Sequence, residues 1–138
     1  MKKLFISVPT EGRDEAAVDN SIRRMHQIAE AIFDVELEII KPKTKTPKLE
    51  GEKLNAWLFG ESLQAISKAD YFIGIHSSLY FDDCDTEATI ARQCDIPSTF
   101  VSVYDIAPDA VEKASREFID EAIQIEIEFE EDPWATWL

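Results

Sequence analysis

The stretch that decides the fold is Ala69–Pro97, ADYFIGIHSSLYFDDCDTEATIARQCDIP. Asp70 to Ile75 is an apolar, β-rich run too continuous to have a solvated face, so it predicts a strand buried on both sides. An acidic loop follows, and then a helix expected to begin near Asp85 or Thr86, residue types that cap helix N-termini. A further strand begins after Pro97. On this reading Glu87 lies in the first turn of the helix, just beyond the carboxyl end of the strand, with Asp82, Asp83 and Asp85 beside it. In an open α/β sheet, that end is where ligands bind.

Outward from that stretch, the chain alternates strand and helix. Lys3 to Val8 reads as a short strand ended by Pro9. Ala17, Ile22, Met25, Ile28, Ala29 and Ile32 recur at helical spacing, after Asp14 or Asp19 as a cap. Val35 to Ile40 predicts a second strand, stopped by Pro42. Leu54 to Lys68 predicts a helix with Leu54, Trp57, Leu58, Leu63 and Ile66 on its apolar side. Gly60 within it costs about 1 kcal/mol relative to alanine and marks an expected close approach. Ser98 to Val103 predicts a fourth strand, and Pro108 to about Ala122 a helix. Ile123, Ile125, Ile127 and Phe129 alternate with Gln124, Glu126, Glu128 and Glu130, which predicts an edge strand; a continued helix is the rival assignment. The two tryptophans of the tail DPWATWL are expected to pack on the domain or on a second subunit.

The expected architecture is therefore one α/β domain over residues 1–138, with an acidic C-terminal extension from about 117. Its sheet is parallel, doubly wound and five-stranded, in the flavodoxin-like order 2-1-3-4-5, with helices on both faces.

Composition narrows the function. The 138 residues suit one core, and 45% are hydrophobic. A net charge of −14 argues against a nucleic-acid binder and against docking on anionic membranes. A solvated acidic surface accounts for it, and an acidic decoy for a basic partner is the sharper alternative. The lysine-bearing segment KPKTKTPKLEGEK reads as a solvated connector, with a phosphate-attracting rim as the alternative. The two cysteines, Cys84 and Cys94, form no metal-binding spacing and are read as free thiols. With no apolar stretch of membrane-spanning length and no signal-peptide pattern, a cytoplasmic protein is expected.

The order 2-1-3 puts the switch point between the first and third strands. The loops Pro9–Asp14 and His76–Asp85 should then face one crevice. A glutamate there can attack an anomeric carbon while a second acid protonates the leaving group, or it can hydrogen-bond ligand hydroxyls. As first-turn residue, Glu87 would be kept ionised by the helix dipole, which suits a nucleophile and suits a general acid badly. Helix-terminal electrostatics and loop capping are the structural alternatives for Glu87, Asp82 and Asp83. His76 with Ser77 and Ser78 does not make a triad, because adjacent strand residues point to opposite faces and no nucleophile elbow is present. No dinucleotide or phosphate-loop glycine pattern occurs.

The motifs LFISVP, ADYFIGI and the acidic loop leading to E-x-x-x-A resemble the nucleoside 2-deoxyribosyltransferase-like superfamily, in particular its small bacterial and phage branch, over about residues 3 to 103. The resemblance implies that Glu87 is the nucleophile at the sugar and that Asp82, or Asp83 in its place, assists the leaving base. Ser7, Pro9, Thr10, Gly12, Arg13, His76 and Ser77 would line the nucleoside or nucleotide. It implies no metal, no cofactor and a homo-oligomer. Three positions depart from the family pattern: Phe5 stands where a Tyr is usual, Ser62 where an Asp is usual, and Thr89 where a Gly is usual. A non-catalytic nucleotide binder and an acidic interaction or inhibitor module are the other functions these residues allow.

Overall fold

Short β-prone runs can bury backbone only by pairing it, and four such runs do so here. In a computed structural model, which describes the backbone of residues 1–40 and 47–131 and the side chains of that range through residue 124, Lys2–Ile6 (β1), Leu37–Ile39 (β2), Tyr71–His76 (β3) and Ser98–Ser102 (β4) form a parallel sheet in the order β2-β1-β3-β4. In register, Phe5 stands opposite Phe72, and Ile73 opposite Thr99. The helices are α1 (Glu15–Phe33), α2 (Gly51–Ser67), α3 (Asp82–Gln93), the single turn α4 (Val103–Ile106) and α5 (Pro108–Glu131).

Side-chain alternation divides the core in two. Leu4, Ile73 and Ile75 pack with Met25 and Ala29 of α1 and with Val103, Ile106 and Ala110 of α4 and α5. Phe5 and Phe72 pack with Ala65 and Ile66 of α2 and with Ala88 and Ala91 of α3. The rings of Phe5 and Phe72 stack with centroids 5.7 Å apart. Burying a side chain of this size stabilises the fold by about 1.5–3 kcal/mol. Gly74 keeps that cluster feasible, since a Cβ there would stand 2.8 Å from Phe72 Cε1 and 3.1 Å from Phe100 Cε1.

The α/β class and the strand order 2-1-3-4 agree with the sequence expectation, and the fifth strand does not. Residues 123–130 continue α5 instead. The segment from Asp109 to Glu131 contains neither Gly nor Pro, and its Glu, Ala and Gln are good helix formers. Period-two alternation over eight residues yields to that uninterrupted propensity.

Smaller corrections concern element ends. Asp34 closes α1 in the left-handed region at φ 55°, and the Val35 N–H bonds back to the Glu30 carbonyl, so β2 starts only at Leu37. A Cβ on Gly60 would meet nothing within 4 Å, so this glycine marks no close approach. His26, for which the sequence suggests no partner, has Nε2 at 2.7 Å from the Leu37 carbonyl. The tail from Asp132, and residues 41–46 of the lysine-bearing segment, lie outside the described residues.

Candidate functional site

The site is built by one step of the β pleat. Phe5 and Ser7 share a face of the chain leaving β1, so the side toward α2 and α3 turns from aromatic to hydroxyl at the carboxyl edge of the sheet. The Ser7 N–H extends the pairing to the Ile73 carbonyl at 2.9 Å, which fixes where its side chain points. The Ser7 hydroxyl donates to Glu87 Oε1 at 2.9 Å. Ser62, from α2, is near enough to lower the same carboxyl's pKa. Both Ser7 and Glu87 are buried, at 1% and 7% exposure.

Helix α3 starts at Asp82, three or four residues before the start expected near Asp85 or Thr86. Phe81 is the N-cap residue, and the Asp85 carboxylate reaches back to accept its N–H at 3.2 Å. Thr86 donates to the Asp82 carbonyl and Thr89 to the Asp85 carbonyl, so both are interior helix residues. Glu87 therefore sits in the second turn, where the helix dipole no longer governs its charge. Burial does. Loss of water pushes the Glu87 carboxyl up from 4.5 to about 7. The Ser7 hydrogen bond holds it down, the Asp83 charge adds to the rise, and the Ser62 hydroxyl holds it down again. The expectation of a firmly ionised first-turn glutamate is corrected on both counts.

The sequence does not single out Cys84 as a site residue. It faces inward one turn before Glu87, and burial pushes its thiol up to about 12, against a lowering contact from Ser7 and with raising charges from Glu87, Asp85 and Asp83. At neutral pH it is an inert thiol. Period 3.6 from Glu87 is the signal that could have found it, as it places Cys84, Glu87, Ala88 and Ala91 on one face.

The other sequence-nominated residues divide. Asp82 and Asp83 are exposed in the first turn of α3, and Asp83 is near enough for its charge to act on Glu87. Pro9 and Thr10 lend carbonyls to Arg13, and Gly12 takes the left-handed φ of 67° that the turn needs. Arg13 is turned toward the α1 and α5 side, away from Glu87. Its guanidinium binds Asp109 with Nε at 2.8 Å and Nη2 at 3.0 Å, and Nη2 also donates to Ser21 at 2.9 Å. His76 is exposed at the end of β3, and the Ser77 hydroxyl accepts the Leu79 N–H at 2.9 Å. Ser7 and Glu87 thus come together, with Ser62 and Asp83 near enough to act on the carboxyl's pKa, whereas Arg13 belongs to a separate bracket.

An open hollow of about 530 Å³, lined by Met1, Glu30, Asp34, Val35, Glu36 and Leu37, lies at the opposite, amino-terminal ends of β1 and β2. Glu87 is not on its wall. Among the described residues no group of three or more His, Cys, Asp or Glu side chains could hold a metal ion, and no helix is long and apolar enough to cross a membrane. Both cysteines are free.

No protein-family model matches the chain, and no curated protein matches it. Among solved structures it is similar to the glutaminase domain of a Trypanosoma brucei CTPS with bound acivicin, at 16% identity and a TM-score of 0.36. The match covers 72% of this chain and 35% of that one, so the chain spans about a third of that structure's length. At that score the likeness carries no argument about function.

Proposed function

We propose that the carboxyl edge of the sheet between β1 and β3 is a nucleoside or nucleotide site at which Glu87 acts on the sugar and cleaves or transfers the N-glycosidic bond. The observation that carries this reading is the Ser7–Glu87 pair, a buried carboxylate held by a hydroxyl from the neighbouring strand at the topological switch point. A carboxylate aimed by the Ser7 hydroxyl and stripped of water is pre-positioned for attack. Its oxygen would form a bond to the anomeric carbon as the carbon–nitrogen bond breaks. The bonding pair leaves with the base, which takes a proton from Asp82 or Asp83. Water or a second base, giving a proton back to that aspartate, then displaces Glu87.

The test is incubation with nucleosides and nucleoside monophosphates, followed by chromatography for released base. Base release that stops in Glu87→Ala is the expected result. Release at the wild-type rate in that variant would exclude the mechanism.

Non-catalytic binding of a nucleotide-derived ligand is the second reading, and a specific observation favours it. Phe5 is sealed in the aromatic core and offers no hydroxyl, and burial disfavours the ionised form of Glu87 that a nucleophile needs. Calorimetric binding of a nucleotide without turnover would select this reading.

A further inference from the structure

Every residue of α5 from Arg116 to Gln124 is exposed. Three of them are large and apolar: Phe118 is 66% exposed, Ile119 54% and Ile123 50%. They lie on successive turns and form one patch, because residues four apart stack along a helix and neighbours one apart widen the stripe. A helix half meant only for water would be polar here. Beyond Arg116, which pairs back with Glu112, the surrounding charge is one-sided: residues 117–131, EFIDEAIQIEIEFEE, contain seven acids and no base.

We propose that the outer half of α5 docks a basic amphipathic helix of another protein. The partner's apolar side covers Phe118, Ile119 and Ile123, and its Lys or Arg side chains meet Glu117, Asp120 and Glu121. Charge selects this occupant over a second copy. Pairing two such helices would bring acid against acid in a chain already at −14, whereas a basic partner is steered in and then held by apolar contact. The 15 residues of this segment span about 22 Å, which matches a partner helix of about four turns. The surface is independent of the Glu87 site.

The probe is a fluorescein-labelled helical peptide of leucine–lysine heptads, compared by anisotropy with its leucine–glutamate counterpart on the full-length protein at about 0.15 M salt. The lysine peptide is expected to bind and the glutamate peptide not to. Replacing Phe118, Ile119 and Ile123 together by serine should weaken binding about tenfold or more, with helix content by circular dichroism unchanged. E117Q, D120N and E121Q together should flatten the salt dependence. Glu87→Gln should leave binding untouched, which keeps this test separate from the sugar chemistry. The proposal is overturned if the lysine peptide does not bind, if both peptides bind equally, or if the triple serine variant binds it as tightly as wild type. It is equally overturned if light scattering finds a dimer that the triple serine variant abolishes, for then a second copy covers the face.

Discussion

Ser7 and Glu87, eighty positions apart, are joined by a 2.9 Å hydrogen bond at the carboxyl edge of β1. A hydroxyl donating to an ionised carboxylate contributes about 1.5–3 kcal/mol, roughly twice what it gives to a neutral acceptor. Ser7→Ala should therefore destabilise the fold more above pH 7 than below it. Urea denaturation at about pH 5 and about pH 8.5 checks this. An equal loss at both values would mean that the hydroxyl acts by packing alone.

Glu87 itself should make the fold less stable as pH rises. Its folded-state value of about 7 lies above the ordinary 4.5. The folded protein therefore holds the proton more tightly than the unfolded chain. The protonated carboxyl's contribution is fully present below about 4.5 and is lost as pH rises through about 7. The full difference is on the order of 3 kcal/mol. Glu87→Gln, which keeps the shape and cannot ionise, should be more stable than wild type near pH 8 and nearly equal to it near pH 4. Urea midpoints of the two proteins across that range measure it. Wild type proving the more stable of the two at pH 8 would contradict the burial of a desolvated carboxylate.

The sheet was legible in the sequence where strands are buried on both faces, because Asp70–Ile75 and Leu4–Ile6 have no polar side to confuse their period. The approach of Ser7 to Glu87 was legible because strand order alone sets the carboxyl ends of β1 and β3 side by side. The ionisation of Glu87 was not. It depends on where α3 starts, and Phe81, a residue without a capping side chain, starts it. The role of Arg13 was hidden because its partners, Ser21 and Asp109, come from two helices whose facing depends on tertiary packing. The outer half of α5 misled because IQIEIEFE satisfies a strand pattern, while the absence of any breaker before Asp132–Pro133 carried the deciding information.

Arg13 should prove structural. Its side chain is 2% exposed, and its donors are taken by Pro9, Ala17, Ser21 and Asp109. Lysine keeps the charge but cannot reproduce the planar fork, so Arg13→Lys should cost about 2 kcal/mol. Asp109→Asn should cost less than about 1 kcal/mol, because that carboxylate is 44% exposed and screened by water. The Arg13 hydrogen bond holds the Asp109 carboxyl below its ordinary value of 3.8. The pair's contribution is therefore present above that value and is lost as pH falls through the depressed one. A double-mutant cycle at about pH 7 and about pH 3 reads both effects. Arg13→Lys as stable as wild type would return Arg13 to the list of ligand-binding side chains.

The pH dependence of base release separates the roles open to Glu87. A nucleophile must be ionised, so turnover should rise as pH increases through about 7, the value to which burial brings this carboxyl. A general acid must carry its proton, and turnover would instead fall across the same window. Ser7→Ala removes a hydrogen bond that favours the ionised form, so it should move the midpoint to higher pH. That displacement ties the profile to Glu87, since Cys84, the other titrating group that Ser7 acts on, is pushed up to about 12, far above this window. Base release that falls with rising pH, with a midpoint that still follows Ser7, would assign Glu87 as the acid and leave the nucleophile to Asp82, Asp83 or water.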